Sequence, residues 1–149
     1  MFKQLLLPVD ISCGTNQQTL KAIKTSVELA TAYQAQLHVL TVLPGFGSPL
    51  VASYFPKQDL NKILDSIYLR LRELVEPHIP DDLDVKLRAV EGTPHQAILK
   101  EAKRIRADLI VLPSHDPKRM ERFFLGSVAA KVVERSHVSV MVVRPDRNN

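Results

Sequence analysis

Residues 108–133 read DLIVLPSHDPKRMERFFLGSVAAKVV. The first five, Asp108 to Leu112, form an apolar run suited to a strand buried on both faces. A polar loop marked by Pro113 and Pro117 follows. Gly126-Ser127 then opens a helical pattern that runs to Arg135. A chain that leaves a buried strand through a loop and returns as a helix starting Gly-Ser has one half of a β-α-β unit. A helix start at such a place favours an anion, because its first N–H groups lack partners and its dipole is positive there.

The same alternation extends to both ends of the chain. Gln4 to Val9 (QLLLPV) reads as a buried strand that Asp10 ends, with ISCGTN as the loop after it. Over 16–34, Leu20, Ile23, Val27 and Ala30 share one helical stripe. Gln36 to Leu43 is a second buried strand, and a loop rich in proline and glycine occupies 44–56. Leu60, Ile63, Leu64, Ile67, Leu71, Leu74 and Val75 predict a long helix over 57–79, stopped by Pro77 and Pro80. Leu83 to Val90 alternates apolar and polar positions, as an edge or half-exposed strand does. Gly92-Thr93-Pro94 is a helix start, with Thr93 able to cap and Pro94 at the first helical position, and that helix runs to about Arg106. Val138 to Val143 is the last strand. Strands alternating with helices predict an α/β fold, a doubly wound parallel sheet with helices on both faces. With no repeat or linker, residues 1–149 make one domain.

Composition narrows the function classes. The chain has 20 Lys and Arg against 16 Asp and Glu, a net charge of +4, and the two signs are interleaved. The densest basic cluster is Lys118, Arg119 and Arg122, in the opening loop. Five Phe and three Tyr form no stacking series with arginines, so no nucleic-acid partner is expected. Cys13 is the only cysteine, which excludes an internal disulfide and fits a reducing compartment. The first apolar run is short and broken by Asp10, so neither a signal peptide nor membrane insertion is expected, and the expected location is cytoplasmic.

In an open parallel sheet, ligands bind beyond the carboxyl ends of the strands where strand order reverses. Pro8-Val9-Asp10 and Leu112-Pro113-Ser114-His115-Asp116 are two such ends. They flank one crevice if the first and fourth strands are neighbours. There Asp10 accepts hydrogen bonds from a ribose or amine, or merely caps the loop after it. Gly126 and Ser127 hold a phosphate, or Ser127 is an ordinary N-cap. The chain has neither a Walker A pattern nor G-x-G-x-x-G. His38, His78, His95, His115 and His137 show no metal-ligand spacing, so no metal site is expected. Cys13 reads as a small buried thiol. Ser114, His115 and Asp116 are the triad residue types, but adjacent side chains diverge and cannot relay a proton among themselves. No catalytic residue is expected.

Several stretches together carry a family likeness: LLLPVDIS (5–12), LHVLTVLPG (37–45), VEGTPHQAIL (90–99), ADLIVLPSH (107–115) and LGSVAAKVVERSHVSVMVVRP (125–145). The chain resembles the universal stress proteins over nearly its whole length. Its nucleotide-binding members carry G-x-x-G, nine residues, then G-[ST]. Here Pro113 and Asp116 stand where the two glycines belong, residues 117–125 follow, and Gly126-Ser127 completes the frame. Pro113 lacks an N–H and Asp116 adds a negative charge, and both changes oppose binding. The SHDP loop, however, is similar to a branch with Ser-[His/Arg]-x-Pro, with which nucleotide binding is associated, and Lys118, Arg119 or Arg122 can offset Asp116.

The resemblance implies a five-stranded Rossmann-like sheet in order 3-2-1-4-5, of the adenine nucleotide alpha hydrolase-like type. It implies a homodimer paired through the last strand, Val138 to Val143. It also implies an adenine nucleotide, ATP with or without magnesium, as a regulatory ligand in stress response. Adenine would lie near Asp10 and Val39, with Pro8 and Val9 lining the base pocket. Ribose would lie near Pro113, Ser114 and His115, just past Leu112, and phosphates on Gly126, Ser127 and Val128. At most a slow ATPase is expected. The alternatives are a dimeric protein-interaction module without nucleotide, serving an unknown protein partner, and an enzyme with a small-molecule pocket under the 44–56 loop.

Overall fold

Five strands form one sheet in the computed structural model, which describes residues 1–12, 16–45, 57–114 and 125–146, less the side chains of 57 and 58. They are β1 (Gln4–Pro8), β2 (Gln36–Pro44), β3 (Val85–Gly92), β4 (Leu109–Pro113) and β5 (Ser139–Val143), in order β3-β2-β1-β4-β5. Every neighbouring pair is parallel. The connecting helices are α1 (Gln17–Tyr33), α2 (Lys57–Val75), α3 (Pro94–Arg104) and α4 (Ser127–Arg135), with a 3-10 turn at Glu76–His78 after α2. Among the described residues no helix is long and apolar enough to cross a membrane.

The strand pleat explains why the central strands are apolar throughout. Leu5 and Leu7 on β1, Leu37 and Val39 on β2, and Leu109 and Val111 on β4 pack under α1 and α2, with Ile23, Ala30, Leu71 and Val75. Their alternate neighbours Leu6, Leu40, Ile110 and Leu112 pack under α3 and α4, with Ile98, Ala102, Ala129 and Val132. Covering both faces requires both sets of side chains to be apolar. The chain winds one way from β1 to β3 with its helices on one face. It then crosses back to β4 and β5 with its helices on the other. The reversal falls between β1 and β4, which are neighbours in register Leu5↔Leu109 and Leu6↔Ile110.

Several boundaries differ from the sequence reading for local reasons. The α3 helix ends at Arg104 because Arg106 takes a left-handed φ of 55° and the Ala107 N–H closes back on the Ala102 carbonyl at 2.8 Å. Asp108 stands before β4, where its carboxylate accepts the N–H groups of Lys3 at 2.7 Å and Gln4 at 3.2 Å. Thr93 caps α3 by position but makes no side-chain cap bond. The expected apolar stripe of α2 is only half buried. Leu71 and Val75 are fully enclosed, whereas Ile63 is 36% exposed, because the first half of the helix extends past the core.

Candidate functional site

A cavity of about 370 Å³ lies beyond the carboxyl ends of β1, β2 and β4, where the winding reverses. Pro8, Val9, Asp10, Leu112, Pro113, Gly126, Ser127 and Val128 line it, so the structure gathers these eight around one space. Val39 does not line it. That residue pairs with Leu7, one position before the end of β1, and is 1% exposed in the core under α1 and α2. The β2 end is presented instead by Leu40, Thr41, Val42, Leu43 and Pro44. Register could have found Thr41, since Pro8 pairs with Leu40 and the next positions along both strands open on the cavity. His115 lies outside the described residues, as do Cys13, Asp116, Lys118, Arg119, Arg122 and 46–56 of the long loop.

Ser114 is completely buried and stands off the cavity wall. Its N–H donates to the Val143 carbonyl at 3.0 Å, and its own carbonyl accepts the Gly126 N–H at 2.9 Å. The backbone of this one residue thus fastens the end of β4 to β5 and to the start of α4. Ser114 positions the helix mouth without facing it. Its hydroxyl oxygen is buried and has no hydrogen-bond partner among the described residues.

The helix start also differs from expectation. Gly126, with φ −57° and ψ 152°, is the N-cap, and its carbonyl accepts the Ala130 N–H at 2.8 Å. Ser127 is therefore the first helical residue and no N-cap, which leaves its exposed hydroxyl out of capping. Since Gly126 spends its N–H on Ser114, the amides without intrahelical acceptors at the cavity are those of Ser127, Val128 and Ala129. An anion at this mouth would meet those three amides and the Ser127 hydroxyl.

Across the cavity, Asp10 closes a local turn. Its Oδ1 accepts the Ser12 N–H at 2.9 Å and the Ser12 hydroxyl at 2.6 Å. The loop-capping role is therefore filled, as it often is for a strand-end Asp. Asn16 caps α1, its Oδ1 accepting the Thr19 N–H at 2.8 Å. Arg70 of α2 also reaches the cavity, where its Nη2 donates to the Ile11 carbonyl at 3.3 Å. Arg70 is not one of the apolar positions that mark α2 in the sequence, and nothing local distinguishes it from Lys62 or Arg72.

Two histidines whose pKa is lowered lie outside this wall. Burial lowers the His95 pKa, and Lys131 and Arg135 lower it further. The His95 Nε2 lies 3.1 Å from Arg135 Nη1, a permanent donor, so that ring nitrogen accepts and the ring is neutral. Burial, then Lys86, lowers the His38 pKa, and its Nε2 meets Gln4 Oε1 at 2.8 Å. A second, more open depression of about 1260 Å³ runs along β3. Its buried carboxylate, Glu101, is already held by Arg104 and, at 3.2 Å, by Arg88. No His/Cys/Asp/Glu cluster able to hold a metal occurs among the described residues.

Known proteins match this chain along its length. The family model described as the universal stress protein family matches residues 1–144. Universal stress protein MJ0531 of Methanocaldococcus jannaschii is 28% identical over 97% of this chain and 83% of its own. The solved structure of MJ0577, from the same organism, superposes with a TM-score of 0.79 at 24% identity, covering 99% of both chains. A universal stress protein solved in complex with cAMP superposes at 0.65 with 23% identity, over 96% of this chain and 97% of that one. A pattern matched from the first strand to the last and a fold shared in the same strand order have one reading: this chain belongs to the universal stress protein family.

Proposed function

We propose that this chain binds an adenine nucleotide, ATP with or without magnesium, as a regulatory ligand in the cytoplasm. The observation that carries the reading is the placement of the α4 mouth. Its three amides without intrahelical acceptors and the Ser127 hydroxyl open on a cavity whose β2 end, Thr41 apart, is apolar. That is the division of labour a nucleotide needs, with an apolar slot for the base and fixed donors for phosphate. The cAMP complex of a relative with the same fold supports it. Binding is proposed as the end of the activity, with slow hydrolysis at most. Among the described lining residues none is a histidine or cysteine, and the Asp10 Oδ1 is engaged by Ser12.

A second reading has specific support. Pro113 supplies no N–H and the Gly126 N–H is engaged by the Ser114 carbonyl, so neither backbone position offers a phosphate a donor. On that reading the chain is a dimeric interaction module without nucleotide. Titration calorimetry with ATP and magnesium separates the two. Micromolar binding in the wild type, lost in the double variant Gly126→Val, Ser127→Ala with its melting temperature retained, is the expected result. No heat with the wild type, and no nucleotide in the freshly purified protein, overturns the first reading in favour of the second.

The proposed assembly is a homodimer through β5. The two sheet edges differ in how they meet water. On β3, Lys86, Arg88 and Glu91 are exposed, and charge on an edge discourages pairing with another chain. On β5 (SVMVV) no residue is charged, and Val140, Met141 and Val142 are half buried. Main-chain pairing across a two-fold axis would cover that apolar edge.

A further inference from the structure

We propose that Arg70 recognises the base, its guanidinium lying against the face of a purine at the β2 side of the cavity. This rests on the nucleotide reading above and assigns a residue to its base end. Arg70 is the only cation, and Asp10 the only carboxylate, among the described residues lining the cavity. No carboxylate pairs with Arg70 among the described residues. Other arginines are engaged by carboxylates, Arg72 by Glu76 at 2.8 Å and Arg88 and Arg104 by Glu101. A guanidinium that lines a cavity with no carboxylate beside it among the described residues can take a ligand's charge or its ring.

Position decides which. The helix carrying Arg70 packs on β2 and β3, whereas the first amides of α4, which lack intrahelical acceptors, belong to the β4 side. Two strand spacings separate β2 from β4, about 10 Å. A ligand whose phosphate reaches Ser127 therefore brings its other end to Arg70. The surroundings of Arg70 agree, since Ile11, Leu43 and Ile67 line the same side and none offers a donor to phosphate from its side chain. The tether to the Ile11 carbonyl uses one N–H at the rim of the guanidinium plane. Such a bond leaves the flat faces free, and stacking on an aromatic ring uses a face.

The test compares wild type with Arg70→Ala for ATP, AMP and tripolyphosphate by calorimetry and by displacement. The expected result is that ATP and AMP weaken by the same factor, about fivefold for a cation–π contact of roughly 1 kcal/mol, with tripolyphosphate unchanged. Loss confined to ATP and tripolyphosphate would mean that Arg70 meets phosphate, and overturns the assignment. Equal loss of all three would mean that freeing Ile11 deforms the site, and overturns it too, as does no change. A wild type that binds no adenine compound removes the nucleotide reading itself. Arg70→Gln, which keeps an N–H donor and removes the cation, is measured alongside and is expected to behave as Arg70→Ala, so that misfolding of one variant leaves the other to decide.

Discussion

At the scale of single residues, position relative to the backbone ladder decides role. Ser114 and Ser127 are both small hydroxyl residues close to the cavity. Ser114 is built into the junction of β4, β5 and α4 by its two backbone bonds, and Ser127 faces the space that junction creates. His95 shows the same dependence on surroundings. Packed between α3 and α4 with Arg135 donating to it, it is held neutral and its pKa lies below the ordinary 6.5. The folded state therefore binds fewer protons than the unfolded chain just below that pH. This contribution is fully present above 6.5 and is lost as pH falls through the unfolded value toward the folded one. The expected outcome is a urea midpoint that drops on acidification below pH 6.5. His38, shifted the same way, contributes to the drop. His95→Gln should make the drop shallower, and an unchanged pH slope in that variant would place the titration elsewhere.

At the scale of elements, burial along α2 is uneven, and so should be its sensitivity to mutation. Leu71 is fully buried under the sheet, and Leu71→Ala should cost about 2–5 kcal/mol through lost transfer energy and the cavity left behind. Ile63, on the same apolar stripe, is 36% exposed, and Ile63→Ala should cost about 1 kcal/mol or less. Chemical denaturation of the two variants checks this, and equal losses would mean that the first half of α2 is covered by something. The apolar stripe was legible in the sequence because helical spacing records which side faces inward. The fading of burial toward Lys57 was not, because spacing says nothing of where the sheet beneath the helix stops. The β3 edge was legible for the opposite reason. Alternation of apolar with charged residues is itself the record of a strand with one open side.

At the scale of the whole molecule, the two edges of the sheet set the proposed assembly. Val140→Asp would place charges across the two-fold axis of a β5 pair, and like charges in such pairing are destabilising. Light scattering should then report a monomer where the wild type is a dimer, and a persistent dimer would put the interface on another surface. The chain by itself determined the fold class, the element order and the position of the crevice. Fold class and element order follow from local pattern, since apolar runs between helical stripes admit few arrangements once crossovers keep one hand, whereas the crevice follows only once β1 and β4 are neighbours, as the family resemblance implied. Strand ends and a helix start marked by Pro8, Asp10, Pro113 and Gly126, together with the family resemblance, pointed to eight of the cavity's residues. Only the tertiary structure decided that Val39 is core while Thr41 faces the cavity, that Ser114 fastens the α4 mouth, and that Arg70 reaches across from α2. Each of these depends on register between strands or on how a helix lies over the sheet. Such relations join residues tens of positions apart, and no window of sequence contains both partners.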